Sequence, residues 1–326
     1  MTWRVAAAAA ATIGTRSKQE DSSAIWPSGA PAALSGGEGM LAVVADGMGG
    51  HAGGDIAGDL ACRTFVATFA QAEGTIAERL RPSLEAGNAA IGAHAADDGR
   101  LRGMGCTLIA AWVDDTGLSW VSVGDSLLLL FRSPEVLRLN ADHSLGAFLD
   151  DQARRNQISP DEAQRNPYRN ALRSALTGKT LELVDLQTVP YELAAGDWII
   201  LASDGIATLT GDEIGDIVYE NRDGTPEVMA DALIAAVEAK QDPDQDNTTV
   251  VVLRMDEGAE GESAGQDEDT ATRVLRPESA ATSAGPSLSA PPVSEGGVKA
   301  LGTLSPRPAA PPARRSRGMI IGLGMA

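Results

Sequence analysis

Residues 41–47 read Leu41-Ala42-Val43-Val44-Ala45-Asp46-Gly47, an apolar run that ends on an acid and a glycine. Two later apolar runs repeat the pattern and end at Asp125 and Asp204. A fourth run, Thr248–Leu253, instead begins just after Asp246. In an antiparallel sheet, the end of one strand lies beside the start of its neighbour. We therefore expect the four acids to meet at one edge of the fold.

Each of these segments has a simpler interpretation when it is taken alone, because Asp-Gly after an apolar run is a common hairpin turn. Four such acids together favour a shared site over four separate turns. Clustered carboxylates repel one another unless a cation lies among them. Hard divalent ions such as Mg²⁺ and Mn²⁺ prefer oxygen ligands of this kind. The pattern therefore predicts a metal site.

Composition limits the class of protein. The chain has 326 residues, 43% of them hydrophobic, and a formal net charge of −19. This charge argues against a nucleic-acid-binding protein, which would need a basic face. The two cysteines, Cys62 and Cys106, form neither a CxxC pair nor a metal-ligand spacing. A reducing cytoplasm is the simplest setting for such a chain.

Apolar periodicity predicts the main secondary-structure elements. Helices are expected over Asp55–Gln71 and Ile76–Ala96. Strands are expected over Leu41–Ala45, Thr107–Val113, Leu118–Val123, Leu127–Phe131, Trp198–Ala202 and Thr248–Arg254. The polar segment Gly146–Arg173 is interpreted as an exposed helical excursion. Two adjacent helices among hairpin-like strands favour an α+β fold with antiparallel sheets over alternating βαβ units.

A change in composition near residue 256 divides the chain. Residues 1–256 are predicted to form the globular domain. Residues 257–317 are rich in Ala, Ser, Pro, Gly and Glu, and we expect a disordered tail because such a segment buries too little apolar surface to offset its ordering entropy. Residues 318–326 are apolar and follow a cluster of arginines. A crossing helix needs about 20 apolar residues, so this short terminus is a candidate start of a truncated membrane span.

Two familiar motifs are incomplete in this chain. Thr177-Gly178-Lys179-Thr180 ends like a phosphate-binding loop, but Arg173 stands where that loop requires its first glycine. The acids between Asp242 and Asp246 begin like a calcium-binding loop, but Leu253 occupies the position of its bidentate glutamate. Neither segment is therefore assigned the function of the motif that it resembles.

Seven short motifs follow one another along the chain with a characteristic spacing. They are Gly14–Asp21, Asp46–His51, Gly103–Thr107, Gly124–Ser126, Asp142–Ser144, Ser203–Gly205 and Asp246–Asn247. Their order and spacing resemble those of the metal-dependent protein phosphatase (PPM) family, in the form of the bacterial type 2C serine/threonine phosphatases. The resemblance covers the chain from about Val5 to Met255, nearly all of the predicted globular domain.

The resemblance implies a fold and a set of metal ligands. The fold would be a four-layer sandwich of two antiparallel β-sheets flanked by helix pairs, with a disordered C-terminal tail. Asp46 would bridge two Mn²⁺ or Mg²⁺ ions, and the carbonyl of Gly47 would bind one of them. Asp204 and Asp246 would complete the second ion. Asp125, together with Asp204, matches a weaker third metal position. No cofactor other than these ions is expected.

The resemblance also gives Arg16 the role of holding the substrate phosphate, to which a guanidinium can donate two parallel hydrogen bonds. Taken alone, an arginine near an acidic run is more often part of a surface ion pair. Glu20 and Asp21 would lie around the first ion and act partly through water. Arg16, Asp46, Asp204 and Asp246 are therefore the expected catalytic residues.

The histidines carry less weight than the acids. His51, His94 and His143 could be ligands, but isolated histidines are usually structural, and His143 is expected to support a turn. Some members of the family carry a histidine directly after the Asp-Gly motif as a general acid. Met48 occupies that position here, so the general acid is unassigned.

The expected activity is hydrolysis of phosphoserine and phosphothreonine in proteins by a metal-activated water, as part of bacterial signal transduction. The expected partners are phosphorylated proteins, with a serine/threonine kinase as one candidate. Two alternatives stay open: a non-catalytic phosphoprotein-binding module of the same fold, and a phosphatase of small molecules. The chain is expected to be a cytoplasmic monomer, with its C-terminus a candidate tether to the inner face of the membrane.

Overall fold

The structure of the chain, a computed structural model, describes residues 3–27, 32–34, 38–48, 53–258 and 273–275. The strands, in chain order, are β1 Trp3–Thr12, β2 Ser22–Trp26, β3 Ala32–Leu34, β4 Gly39–Ala45, β5 Gly47–Met48, β6 Gly105–Cys106, β7 Leu108–Asp114, β8 Gly117–Val123, β9 Leu127–Arg132, β10 Glu135–Arg138, β11 Asp185–Tyr191, β12 Trp198–Ala202, β13 Thr248–Glu257 and β14 Arg273–Leu275. The α-helices are α1 Gly54–Gln71, α2 Ile76–Asp97, α3 Leu145–Arg154, α4 Pro160–Gln164, α5 Gly211–Asn221 and α6 Pro226–Ala239. Short 3₁₀ helices span Gly99–Leu101 and Asp204–Thr208.

The described strands form two large antiparallel sheets. In the first, the strand order is β10-β9-β12-β13-β1-β3, and in the second it is β11-β8-β7-β4-β2-β14. The short strands β5 and β6 pair separately. Neighbouring strands in both large sheets run in opposite directions, for example β12 beside β13 and β4 beside β7. Strand starts and strand ends therefore alternate along each sheet edge.

Strand β4 lies inside the second sheet and is covered on both faces. Leu41, Val43 and Ala45 pack into the core beneath α1 and α2. Ala42 and Val44 point the other way, into the core between the two sheets. Successive side chains of a strand alternate between its faces, and both faces are buried here. This double burial explains why β4 reads as an uninterrupted apolar run rather than an alternating one.

The first sheet is also buried on both faces. Val251 and Leu253 of β13 pack between the sheets, whereas Val250 and Val252 pack beneath α5 and α6. Trp198 of β12 is fully buried in the same outer core. The layers are therefore α1/α2, the second sheet, the first sheet, and α5/α6. The predicted four-layer α+β sandwich is confirmed.

The first helix pair follows the sequence prediction closely. Helix α1 begins one residue before the expected start, and α2 ends one residue after the expected end. The N-terminus of α2 is fixed by a capping box between Thr75 and Glu78, which satisfies backbone N–H groups that lack helical partners. Pro82 lies inside α2 and has no N–H to donate to the preceding turn. Next to it, the hydroxyl of Ser83 donates to Arg79 O at 2.7 Å.

The excursion between β10 and β11 is helical only in part. Arg169 connects helices α3 and α4. Its guanidinium donates to both carboxylate oxygens of Asp150 in α3 at 2.9 and 2.7 Å, and to Ala163 O in α4 at 2.9 Å. The amide of Gly146 donates to Arg169 O at 2.7 Å. Residues 155–159 and 165–173 are not helical and consist of turns, bends and irregular backbone, with an isolated bridge at Leu172, so the helical prediction is wrong for those parts. Its polar composition does not distinguish short helices from turns.

The predicted tail is described only in small part. β13 ends at Glu257, and Arg273–Leu275 pairs as β14 with the edge strand β2. The expectation of disorder differs from the structure at these three residues. The remainder of 259–317, together with the apolar terminus 318–326, lies outside the described residues. No helix in the described ranges combines the length and apolar content that a bilayer crossing requires.

We expect the outer core of α6 to be essential for stability. Leu233 is fully buried there, whereas Val228 on the same helix is 49% exposed. Leu233→Ala should lower the free energy of unfolding by about 2–5 kcal/mol, because it leaves a cavity. The control Val228→Ala should change it by less than about 0.5 kcal/mol. Urea denaturation followed by circular dichroism measures both values, and equal losses would contradict the assigned packing.

Candidate active site

Strand ends bring the four predicted aspartates to one cleft. Asp46 directly follows β4, and Asp204 lies two residues after β12. Asp125 lies two residues after β8, and Asp246 lies two residues before β13. Because Ala202 of β12 pairs with Val250 of the antiparallel β13, the end of one strand adjoins the start of the other. The expectation of a shared edge agrees with this arrangement.

The cleft has a volume of about 1030 Å³ and gathers most of the predicted site residues. Its lining includes Arg16, Glu20, Asp46, Gly47, Asp125, Asp204 and Asp246. Asp21, the remaining predicted residue, is buried and does not line the cleft. The sequence therefore identified a set of residues that are distant along the chain but close together in the fold.

Burial and mutual repulsion raise the pKa of three of the cleft carboxyl groups, those of Asp46, Asp125 and Asp204. Burial raises the pKa of Asp46 well above its ordinary value, and the charges of Asp21 and Asp204 raise it further. Burial, followed by repulsion from Asp204, raises the pKa of Asp125 to about 7. Burial also raises the pKa of Asp204, with Asp246 as the main repelling charge. A cation placed among these groups would favour their charged forms.

Asp21 provides a second indication that a cation fits here. Its side chain is 3% exposed, and its Oδ2 accepts a hydrogen bond from Ser203 Oγ at 2.7 Å. The other oxygen, Oδ1, has no well-aligned hydrogen-bond partner, although the hydroxyl of Thr249 lies close enough to lower the pKa of Asp21. Burial is the main reason that the pKa of Asp21 is raised to about 7. A buried acceptor without a partner is costly, and a nearby cation or its water would satisfy it.

The donor chemistry fits hard divalent ions, although the side chains do not form a closed cage. Within the described ranges, no three His, Cys, Asp or Glu side chains converge closely enough to hold an ion. Instead, Asp246 Oδ2 accepts a hydrogen bond from Arg16 Nη2 at 2.5 Å. The fit therefore rests on the all-oxygen donor set and on the unpaired Asp21 oxygen.

The sequence allowed two interpretations of Arg16, a surface ion pair and a residue that holds the substrate phosphate, and its position is compatible with both. Its side chain is 56% exposed at the cleft and forms an ion pair with Asp246. It also lines the same cavity as the four strand-end aspartates. A guanidinium has five N–H donors, so one contact with Asp246 leaves others available for an anion in the cleft.

The backbone at Gly47 is too crowded for any other residue. A Cβ atom added there would lie 2.1 Å from Gly54 O and 2.5 Å from Glu20 O. Glycine therefore permits the start of α1 and the loop before β2 to pack against the end of β4. The preceding residue is held as well, because Thr107 Oγ1 accepts from the amide of Asp46 at 3.2 Å and contacts Ser126 Oγ at 2.7 Å.

Asn247 fixes the loop that carries Arg16 and Glu20. Its Oδ1 accepts from the amide of Glu20 at 2.8 Å, and its Nδ2 donates to Ile13 O and Lys18 O at 3.0 and 3.1 Å. The Asp246-Asn247 motif drew attention to this residue, but the sequence alone did not reveal its role. Its location beside a predicted ligand was the only available signal.

Gln245 makes a comparable connection that sequence reasoning missed entirely. Its carbonyl accepts from the amide and hydroxyl of Thr15 at 2.9 and 3.0 Å. Its side chain donates to Gly205 O at 3.1 Å and accepts from Thr208 Oγ1 at 2.6 Å. It therefore joins the Arg16 loop to the 3₁₀ helix that begins at Asp204. A lone glutamine in a polar loop gives no sequence signal for this role.

The histidines are placed as structural residues where they are described. His143 is buried, and its Nδ1 accepts from the amide of Gly124 at 3.2 Å, next to Asp125. Burial lowers its pKa, which favours the neutral ring needed for this contact. His94 lies exposed near the end of α2. His51 lies outside the described residues.

Several known proteins are similar to this chain. A family model described as "Protein phosphatase 2C" matches residues 30–242. Serine/threonine protein phosphatase PstP of Mycobacterium tuberculosis is 34% identical over 217 residues, which cover 65% of this chain and 40% of PstP. Serine/threonine phosphatase stp of Listeria monocytogenes is 30% identical over 230 residues, or 69% of this chain and 88% of stp.

Solved structures give the same result. The catalytic domain of PstP, solved in complex with two manganese ions, has a TM-score of 0.62 and 30% identity, and the match covers 78% of this chain and all of that domain. The chain thus spans about 40% of the length of full PstP. Because the family model covers well over half of its residues, the chain belongs to the protein phosphatase 2C family.

Proposed function

We propose that this chain is a metal-dependent serine/threonine protein phosphatase. One observation carries the proposal: the cleft joins four strand-end carboxylates to an exposed arginine. Removing a phosphoryl group from a protein side chain requires both a site for cations and a group that holds the phosphate. The names of the related proteins PstP and stp support the same activity.

We assign the metal ligands as the sequence resemblance implies. Asp46 and the Gly47 carbonyl, with Asp204 and Asp246, would hold two Mn²⁺ or Mg²⁺ ions, and Asp125 would contribute to a weaker third position. When bound, such ions lower the pKa of water and neutralise charge on the transferring phosphoryl group. The two manganese ions of the related PstP catalytic domain support this assignment.

The remaining site residues orient the substrate and the ligands. Arg16 would donate to the substrate phosphate, and its present contact with Asp246 holds the guanidinium at the cleft. Glu20 lines the cleft, and its amide is fixed by Asn247. The free Oδ1 of the buried Asp21 is suited to accept a hydrogen bond from water around the first ion.

We further propose phosphorylated proteins as the substrates, with a serine/threonine kinase as one candidate, and a monomeric enzyme of the bacterial cytoplasm acting in signal transduction. The acidic composition and the two free, buried cysteines support this setting. The globular domain would span residues 1–256 and the tail 257–317. The terminus 318–326 stays a candidate tether to the inner face of the membrane.

Chelation tests the dependence on metal. Hydrolysis of a phosphothreonine peptide should cease in excess chelator and return when Mn²⁺ is added, because water alone attacks phosphate esters extremely slowly. Release of inorganic phosphate measures both steps. Full hydrolysis in excess chelator would contradict the proposal. A strong preference for phosphorylated metabolites over phosphopeptides would instead identify a phosphatase of small molecules, and binding without turnover would identify a binding module.

Asp204 and Arg16 have different proposed roles, which two substitutions should separate. Asp204→Asn keeps the size of a metal ligand but removes its charge, so we expect weaker Mn²⁺ binding and a loss of turnover of at least about 100-fold. Arg16→Ala should not weaken Mn²⁺ binding, because it removes a cation that competes for Asp246. It should raise KM and lower kcat for the phosphopeptide.

Calorimetric titration with Mn²⁺ and steady-state kinetics measure these two effects separately. Arg165→Gln is the control, because Arg165 is exposed, pairs with Asp161 and lies outside the cleft lining. It should leave both measurements unchanged. An Asp204→Asn protein that binds Mn²⁺ and turns over like the parent would show that the ligand assignment is wrong.

The tail should not be needed for chemistry. Removal of Gly258–Ala326 deletes no residue of the cleft lining, although it uncovers the edge of β2 that β14 occupies. The rate of peptide hydrolysis should therefore stay close to that of the full chain. Comparing kcat/KM for the two proteins checks this expectation, and a large loss would place the domain boundary beyond residue 258.

A further inference from the structure

The segment between Arg173 and Thr180 forms a wall of the active-site cleft. Its residues Arg173, Ser174, Ala175, Thr177, Lys179 and Thr180 line the same cavity as Arg16 and the four aspartates. The end of this segment resembles part of a phosphate-binding loop, but it lacks the first glycine. The two basic residues of this segment, Arg173 and Lys179, both line the cleft.

Lys179 follows a turn that is clamped to helix α2. Asn88 Oδ1 accepts from the amides of Thr177 and Gly178 at 3.0 and 2.9 Å, and Asn88 Nδ2 donates to Lys179 O at 2.7 Å. Gly178 has a φ of +78°, and a Cβ there would lie 2.1 Å from Gly92 Cα. These contacts fix the backbone from which the Lys179 side chain extends.

Arg173 is fixed from the opposite side of the segment. Its amide donates to His143 O at 2.9 Å, and Leu172 bridges Ser144. The guanidinium carbon lies 4.3 Å from the centre of the Phe148 ring of α3. Stacking on an aromatic face orients a guanidinium while leaving its N–H groups in the plane available.

These two cations differ from the other basic residues around the cleft. Arg16 pairs with Asp246, and Lys18 pairs with Asp55. Arg173 and Lys179 have no ion-pair partner among the described residues. Glu182 lines the same cavity, but no ion pair joins it to either cation. Two positive charges on fixed backbones, without carboxylate partners, are therefore available to an anion that enters from solvent.

The shape of the surface allows a bound peptide to extend past Arg173, while Lys179 lines the active-site cleft itself. Arg173 and Asn170 line the active-site cleft and also a neighbouring groove of about 590 Å³ beside α3. Other arginines of that groove already have partners, for example Arg138 with Asp142. A chain whose phosphate lies at Arg16 can therefore continue past Arg173 into the groove.

We propose that Arg173 and Lys179 form a second anion subsite, which binds an additional phosphate or carboxylate on the peptide that carries the scissile phosphate. The preferred substrate class is then a phosphopeptide with a further acidic group near the phosphorylated residue. This inference rests on the proposed phosphatase function. Bonds from charged donors to carboxylate or phosphate are stronger than neutral ones, and the preference should weaken at high ionic strength because exposed charges are screened.

The test compares a family of peptides that differ in one position. Each carries one phosphothreonine, and a flanking position holds glutamine, glutamate or a second phosphothreonine, moved stepwise along the sequence. For the parent protein, kcat/KM should be about tenfold higher for the best acidic peptide than for the glutamine peptide. In the double variant Arg173→Gln, Lys179→Gln, this ratio should fall to about one.

Three further variants test whether a changed kcat/KM ratio could result from a loss of structure. Arg173→Lys keeps the charge and should keep most of the preference for acidic peptides. Lys179→Glu should reverse this preference, so that kcat/KM becomes lower for the acidic peptides than for the glutamine peptide. Arg165→Gln, a cation that lines neither cavity, should leave the ratio unchanged. An unchanged ratio in the double variant, or an equal loss in Arg165→Gln, would overturn the proposal.

Binding without turnover separates the subsite from the activity. Peptides with a phosphonate in place of the phosphothreonine ester cannot be hydrolysed, and fluorescence anisotropy gives their affinities. The same preference among these peptides supports the subsite even if no substrate is hydrolysed, which would contradict only the proposed activity. If only the second phosphate raises the affinity, phosphate is the ligand of the subsite. If glutamate raises the affinity as well, a carboxylate is sufficient. No gain with either would overturn the inference.

Discussion

Partly buried carboxylates gathered at the ends of two packed sheets are the constraint on which the rest of this structure depends. Asp46, Asp125 and Asp204 all resist ionisation, primarily because burial removes the water that would stabilise their charges. Such a cluster lowers stability unless cations or protons compensate it. The site is therefore unfavourable for folding alone but well suited to hold divalent ions, and the surrounding fold must supply the rigidity that keeps these groups together.

That rigidity comes from two sources. The sheets are buried on both faces, so β4, β12 and β13 are fixed by packing that a one-residue slip would destroy. The loops at the strand ends are then held by individual polar side chains. Asn247 and Gln245 tie the Arg16 loop to the start of β13, and His143 supports the turn before Asp125. The residues of the cleft therefore lie on loops whose backbone conformations are held by these hydrogen bonds.

The sequence predicted those parts of the fold whose signals are local. Strand β4 and helix α2 are examples, since an apolar run and an apolar periodicity identify them directly. The aspartates that line the cleft could be singled out because each lies at a strand end within a recognisable motif. Gln245 and the Asn88 clamp could not be found, because both depend on contacts between residues far apart in the chain. The turns of residues 165–173 were misassigned because polar segments do not distinguish short helices from turns.

We propose that the strand-end aspartates hold two divalent ions at one edge of the sandwich. The most direct measurement is diffraction from crystals grown with Mn²⁺, with anomalous scattering recorded at the manganese absorption edge. We expect two anomalous peaks in the cleft, with Asp46 between them and Asp204 and Asp246 beside one of them. An ordered cleft without an anomalous peak in excess Mn²⁺, or peaks that avoid these aspartates, would contradict the account.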